Sequence, residues 1–147
     1  MHHLEQLAPK LVERLRSSTE SEVRRAALTA CRLSFERMPI DDPLVRDALL
    51  TLETGRSITE DMRIALRLLA ERLDDQYLEY NPDGDSQSTQ ATEAARLFSQ
   101  ARTVFALLSL SGDKGIDSAI EAIYEAGMST DDVTGFCELI LASLTIH

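Results

Sequence analysis

The sequence predicts an all-α fold of about seven antiparallel helices, arranged as a bundle or as a short stack of two-helix repeats. Three observations carry that expectation. Apolar residues recur at three- and four-residue spacing along most of the chain, the period of a helix with one buried face. No stretch alternates apolar and polar residues with the period of two that a half-buried strand needs. Capping signals stand in front of most periodic segments, and Gly or Pro closes several of them. Composition agrees: the chain is 44% hydrophobic but only 5% aromatic, with no Trp. Its core must therefore be mostly Leu, Ile, Val and Ala. A chain of 147 residues has the size of one domain, expected here over 1–147. At that length about 68–70% of the unfolded surface is buried without staples.

The elements follow in order. Leu4, Leu7, Leu11 and Leu15 share a helical face and mark a first helix, with Pro9 as the point where its regular part begins. A second runs from Glu20 to Arg37, behind a Thr19/Glu22 capping box, and stops before Pro39. Asp42 caps a third with Pro43 at its first position, and Gly55 closes it. Ser57 and Glu60 form a second capping box for a helix over Ile58 to Leu78, with Ile64, Leu68 and Leu69 among its buried residues. Residues 81–90, Asn-Pro-Asp-Gly-Asp-Ser-Gln-Ser-Thr-Gln, read as a flexible internal loop. Beyond it, helices are expected over Ala91 to Leu110, stopping at Gly112, and over Gly115 to Ala126, stopping at Gly127. The last is capped by Ser129 and Asp132 and reaches Leu144.

Ser18-Thr-Glu-Ser-Glu-Val-Arg-Arg-Ala aligns with Ser57-Ile-Thr-Glu-Asp-Met-Arg-Ile-Ala at an offset of 39 residues. A further step of 39 reaches Arg102 but matches little else. The period suits two-helix solenoid units, and Ser21-Glu-Val-Arg-Arg-Ala-Ala-Leu28 resembles the second helix of a HEAT repeat. A HEAT-like stack and chance alignment of similar amphipathic helices remain alternatives.

Several chemistries lack their residues. The histidines are His2, His3 and His147, all at the chain ends, which argues against His-based acid–base or triad catalysis. Two cysteines without a Cys-x-x-Cys cannot close a structural zinc site. Cys31 and Cys137 read as small buried apolar residues in a reducing compartment, with one disulfide as the alternative. There is no glycine-rich phosphate loop. A calcium loop opening at Asp83 would need Gly and Glu where Ser88 and Ala94 stand. Carboxylates alone could serve a hydrolase, but no pair stands out from the general acidity. The expectation is no catalysis, no cofactor and no metal. With no basic-then-apolar leader and no long apolar run, the chain reads as cytoplasmic, without a membrane partner.

Charge is the most informative feature. Residues 1–73 hold 12 acidic and 12 basic side chains, whereas residues 74–147 hold 13 acidic ones and 3 basic ones, Arg96, Arg102 and Lys114. The second half thus carries the whole net charge of −10. Such a field repels nucleic acid and steers a basic protein inward. Asp117, Glu121 and Glu125 stand at i, i+4 and i+8 on one helix that offers no cation. Glu125, in the last turn, also opposes the helix dipole. These three are the candidate partner-binding residues, enlarged by Asp131 and Asp132, with Tyr77, Tyr80 and Tyr124 as aromatic anchors.

The stretch Ala119-Ile-Glu-Ala-Ile-Tyr-Glu-Ala126, with the acidic, helical, Cys-poor character of the whole, resembles immunity proteins of bacterial toxin–immunity systems. The likeness covers mainly the last 35 residues and rests on a loose pattern that gives no residue a role. It implies a small cytoplasmic protein that neutralises a cognate toxin domain, often a basic nuclease, by binding it. The alternative is a cytoplasmic helical-repeat adaptor or regulatory subunit.

Overall fold

The leucine-rich start of the chain folds as two helices, not one. α1 (His3–Leu7) and α2 (Pro9–Arg16) are separated at Ala8, whose backbone stands at φ −145°, ψ 69°. Pro9 causes the break, because its ring excludes the residue before it from the helical region. Leu4, Leu11 and Leu15 are buried, whereas Leu7 is exposed. α3 (Glu20–Arg37) has the expected capping box. Glu22 N–H donates to Thr19 Oγ1 at 3.1 Å, and Thr19 N–H donates to Glu22 Oε1 at 2.9 Å. These bonds, the backbone one first, hold the Glu22 carboxyl below the usual carboxylate range. Before α4 (Pro43–Glu53), Asp42 accepts from Leu44 N–H at 2.9 Å. Gly55, at φ +81°, takes the left-handed conformation that lets the chain leave α4.

α5 (Glu60–Glu79) begins later than expected, because Thr59 and not Ser57 accepts from the first turn, at 3.1 Å from Met62 N–H. Its buried face is Leu66, Leu69, Ala70 and Leu73. Ile64 and Leu68, expected inside, are 51% and 61% exposed. α6 (Ser88–Ser111) starts inside the expected loop, so residues 88–90 are helical. α7 (Ile116–Met128) runs through Gly127 rather than stopping there. A Cβ on Gly127 would lie 3.4 Å from Phe136 Cδ1 and 3.6 Å from a Val133 methyl, ordinary contact distances, so α7 continues through this position as it would through an alanine. At the start of α8 (Val133–Thr145), Asp132 accepts from Gly135 N–H at 2.9 Å. Ser129, expected to share that cap, is buried instead.

This computed structural model describes residues 3–79, 88–112 and 115–145, and among them there are eight helices and no strand. They pack as a helical bundle. α6 is its axis, packed against α5 on one side and α7 on the other, with α3 against both α6 and α7. α8 covers parts of α2, α3 and α7. The 39-residue offset survives in the buried faces: Ala27, Ala30, Cys31 and Ser34 of α3 correspond to Leu66, Leu69, Ala70 and Leu73 of α5, all buried. A HEAT-like stack would set α3 beside α5, but both pack on α6 rather than chiefly on each other. Both cysteines are buried free thiols. Burial pushes Cys31 up to about 12 and Cys137 up to about 11, so both stay protonated and unreactive at neutral pH.

Four hydroxyls cross the core where α3, α6 and the end of α7 meet. Ser34 bonds to Thr103 and, at 2.7 Å, to Ser129 Oγ. Ser99 Oγ donates to the Ser129 carbonyl at 2.7 Å, and Thr103 Oγ1 to the Ser99 carbonyl at 3.1 Å. Directional bonds among apolar neighbours fix the register of the three helices. Thr103→Val keeps the shape and removes the hydroxyl, while Ser34 retains Ser129. The expected loss is about 1 kcal/mol, read as a lower denaturant midpoint with an unchanged slope.

Candidate protein-binding surface

The acidic stripe on α7 is answered by cations from other helices. Asp117 lies 4.0 Å from the Arg16 guanidinium of α2 and keeps 72% of its side chain exposed. Glu125 is only 14% exposed and accepts from Arg102 of α6 at 3.0 Å. Glu121 sits between them, half-buried. The stripe is therefore not the row of unpaired charges that the α7 sequence alone suggests.

The remaining expected residues scatter. Tyr124 packs edge-on against His3, with ring centroids 5.4 Å apart. Asp131 reaches Arg37 of α3 at 3.2 Å, and Asp132 is occupied as the cap of α8. Tyr77 packs on Phe98 at 5.4 Å. Tyr80 and the Asp83-Gly84-Asp85 turn lie outside the described residues. Of the seven that are described, only Glu125, Tyr77 and the neighbouring Glu121 belong to one place.

That place is organised by Arg102. Its guanidinium spans from Glu125 on α7 to Asp74 on α5, donating to both Asp74 oxygens at 3.1 and 3.2 Å. It also lies over Phe105 at 4.7 Å and Phe98 at 5.4 Å from the ring centroids, within cation–π range. Phe98, Arg102 and Phe105 stand at i, i+4 and i+7 on α6, so one stripe presents aromatic, cation, aromatic. All three are partly exposed, as are Asp74 and Tyr77, and Leu78, one turn beyond Asp74, is 70% exposed. Asp75 and Glu79 on α5 are exposed and add negative charge. Arg102, Asp74, Phe98 and Phe105 are missing from the expected site. The available signal was a lone Arg within an otherwise uncharged run of α6, from Leu97 to Ser111.

The electrostatics are poised by burial. Burial pushes the Glu125 carboxyl above the usual carboxylate range; Arg102 opposes this, while Glu121 and Asp74 add to it. A folded-state value above the unfolded one means that the folded protein holds the proton more readily. This group's contribution to stability therefore falls as pH rises through that window and returns as pH falls. Glu125→Gln should flatten this part of the stability–pH curve, measured as urea midpoints across the mildly acidic range. An unchanged slope would mean that Glu125 is as well solvated when folded as when unfolded.

Among the described residues no cluster of His, Cys, Asp and Glu is placed to hold a metal ion. No helix there is long and apolar enough to cross a membrane. The patch combines Tyr, Phe and Arg in partial burial with a rim of carboxylates, residue types that are enriched at the centres of protein interfaces in the case of Tyr, Phe and Arg. Compared with known proteins, the chain matches no family model, and no curated protein or solved structure is significantly similar to it.

Proposed function

We propose that the chain is a non-catalytic binding domain that neutralises a basic protein domain, as the small acidic immunity proteins of bacterial toxin–immunity systems do. The observation that carries the reading is the coincidence of two features. Residues 74–147 hold the entire net charge of −10. The part-exposed aromatic patch around Arg102 lies within that half, between α5, α6 and α7. The charge speeds encounter with a basic partner, and the aromatic side chains supply contact area at low entropic cost. The partner expected is a toxin domain with a basic active-site cleft, a nuclease being the kind that such a field suits best. Neutralisation then needs only tight one-to-one occupation, with no group on this chain taking part in chemistry.

The test is affinity capture with the intact protein, identification of the retained polypeptide, and assay of its activity with and without the chain. A strongly basic domain, held in equal proportion and silenced, is the expected result. Capture of a neutral or acidic protein whose activity persists would favour the adaptor alternative.

A further inference from the structure

A second surface lies between α3 and α8. Leu33 of α3 with Phe136 and Leu139 of α8 line a groove of about 340 Å³, with Gly135, Thr130, Arg37 and Asp132 completing its walls. Leu139 is 62% exposed and Leu33 36%. α8 is unusual for an outer helix. Glu138 is its one charged residue over Val133–Thr145, and apolar residues stand on both its inward and outward faces. Its exposed positions carry Leu139 and Ala142 beside Thr134 and Glu138, and among the described residues it packs chiefly on one flank of the bundle, formed by α2, α3 and α7. Gly135 also lines the groove, with the Asp132 carboxylate packed where a side chain would stand.

The charges around the groove select what covers it. Asp131 and Asp132 stand at one end, and Glu36 and Glu138 are exposed on the two flanking helices. Against these four carboxylates stands Arg37, which is paired with Asp131 at 3.2 Å. A second copy of this chain would bring the same acidic rim against itself. A segment with apolar residues on one side and Lys or Arg at the margins fits both floor and rim.

We infer that the α3–α8 groove is a docking site for a basic amphipathic helical segment of a partner protein, seated on the exposed Leu33 and Leu139 above a floor formed by the buried Phe136, with its cations toward Asp131, Asp132, Glu36 and Glu138. The recognition is of the helix-in-groove kind, in which apolar anchors give affinity and rim charges give orientation and selectivity. It involves none of the residues around Arg102, so it stands whether or not that patch binds a partner.

The probe is a fluorescent Leu/Lys peptide of about 18 residues with helical periodicity, long enough to form a helix when bound. A Leu/Glu peptide of the same pattern is the control. Anisotropy gives affinity, and amide chemical-shift mapping on the intact protein gives location. The Leu/Lys peptide should perturb α3 and α8 and bind at least about tenfold more tightly than the Leu/Glu peptide. Leu33→Ser with Leu139→Ser leaves every charge in place and alters only exposed positions. It should weaken the Leu/Lys peptide by about tenfold or more, with an unchanged helical spectrum. Ile64→Ser with Leu68→Ser, on the outer face of α5, should leave binding as it was. The inference fails if the shifts map to α5–α7, or if the Leu33/Leu139 variant binds like the wild type. It fails equally if the wild type dimerises and that variant is monomeric, because the occupant is then a second copy.

Discussion

Arg102→Met should be strongly destabilising although its side chain is partly exposed. The methionine keeps apolar contact with Phe98 and Phe105 but removes the cation between Asp74 and Glu125. Glu125, 14% exposed, and Asp74, 32% exposed, then face each other without compensation. Breaking a fully buried ion pair costs about 3–5 kcal/mol; the residual solvent access of this triad reduces the expected loss to about 2–3 kcal/mol. In a domain of this size that corresponds to a fall in melting temperature of about 5–10 °C. Two controls separate charge from packing. Adding Glu125→Gln to Arg102→Met should restore most of the loss, because the uncompensated charge is gone. The single variant's deficit should also shrink as pH falls and Glu125 takes up a proton. A deficit that persists in the double variant and at low pH would place Arg102's contribution in its contacts with the two phenylalanines.

The fold was legible because its boundaries are set by local chemistry. Thr19 with Glu22, Asp42 with Pro43, and Gly55 act within a few residues of themselves, and all five do in the structure what their identities imply. The errors arise where two local solutions compete. Ser57 and Thr59 both can cap α5; Thr59 does so, and Ile58 is buried ahead of the helix rather than within its first turn. Gly127 reads as a helix stop, but it is buried inside α7, and packing of the helix rather than its glycine decides where α7 ends. On α5, Ile64 and Leu68 form one apolar row and Leu66, Leu69, Ala70 and Leu73 another. Which row faces inward depends on where α6 lies, and periodicity within α5 cannot contain that information.

The candidate site was less legible for the same reason. The stripe Asp117, Glu121, Glu125 is real as a spacing, but its cations come from Arg16 and Arg102, far away in sequence. A reading confined to α7 sees the acids and not their partners. Pairing moves the centre of interest from the middle of α7 to the seam where α5, α6 and α7 meet. Among the described residues, the expected set shares only Tyr77 and Glu125 with that seam, with Glu121 beside them.

Reversing charge beside that seam should produce the largest loss of binding. Asp75→Lys, Glu79→Lys and Glu121→Lys together change six units of charge and leave Asp74, Arg102 and Glu125 in place, the half-buried Glu121 being the one whose charge also acts on Glu125. Rim charges act mainly on encounter, so the association rate should carry most of the effect and the dissociation rate little. Affinity for the captured partner should fall by about 30-fold at low salt, with melting temperature close to wild type. Raising ionic strength should slow wild-type association and narrow the gap between the two proteins, because screening removes the steering that the variant has already lost.

The most direct test is therefore the association rate of the captured partner, followed by stopped flow for the wild type and this triple variant across a salt series. The account predicts a steep fall with salt for the wild type, a shallow one for the variant, and convergence at high ionic strength. Equal rates for the two proteins at every salt concentration would contradict it, and would place the partner's contact away from the α5–α6–α7 seam.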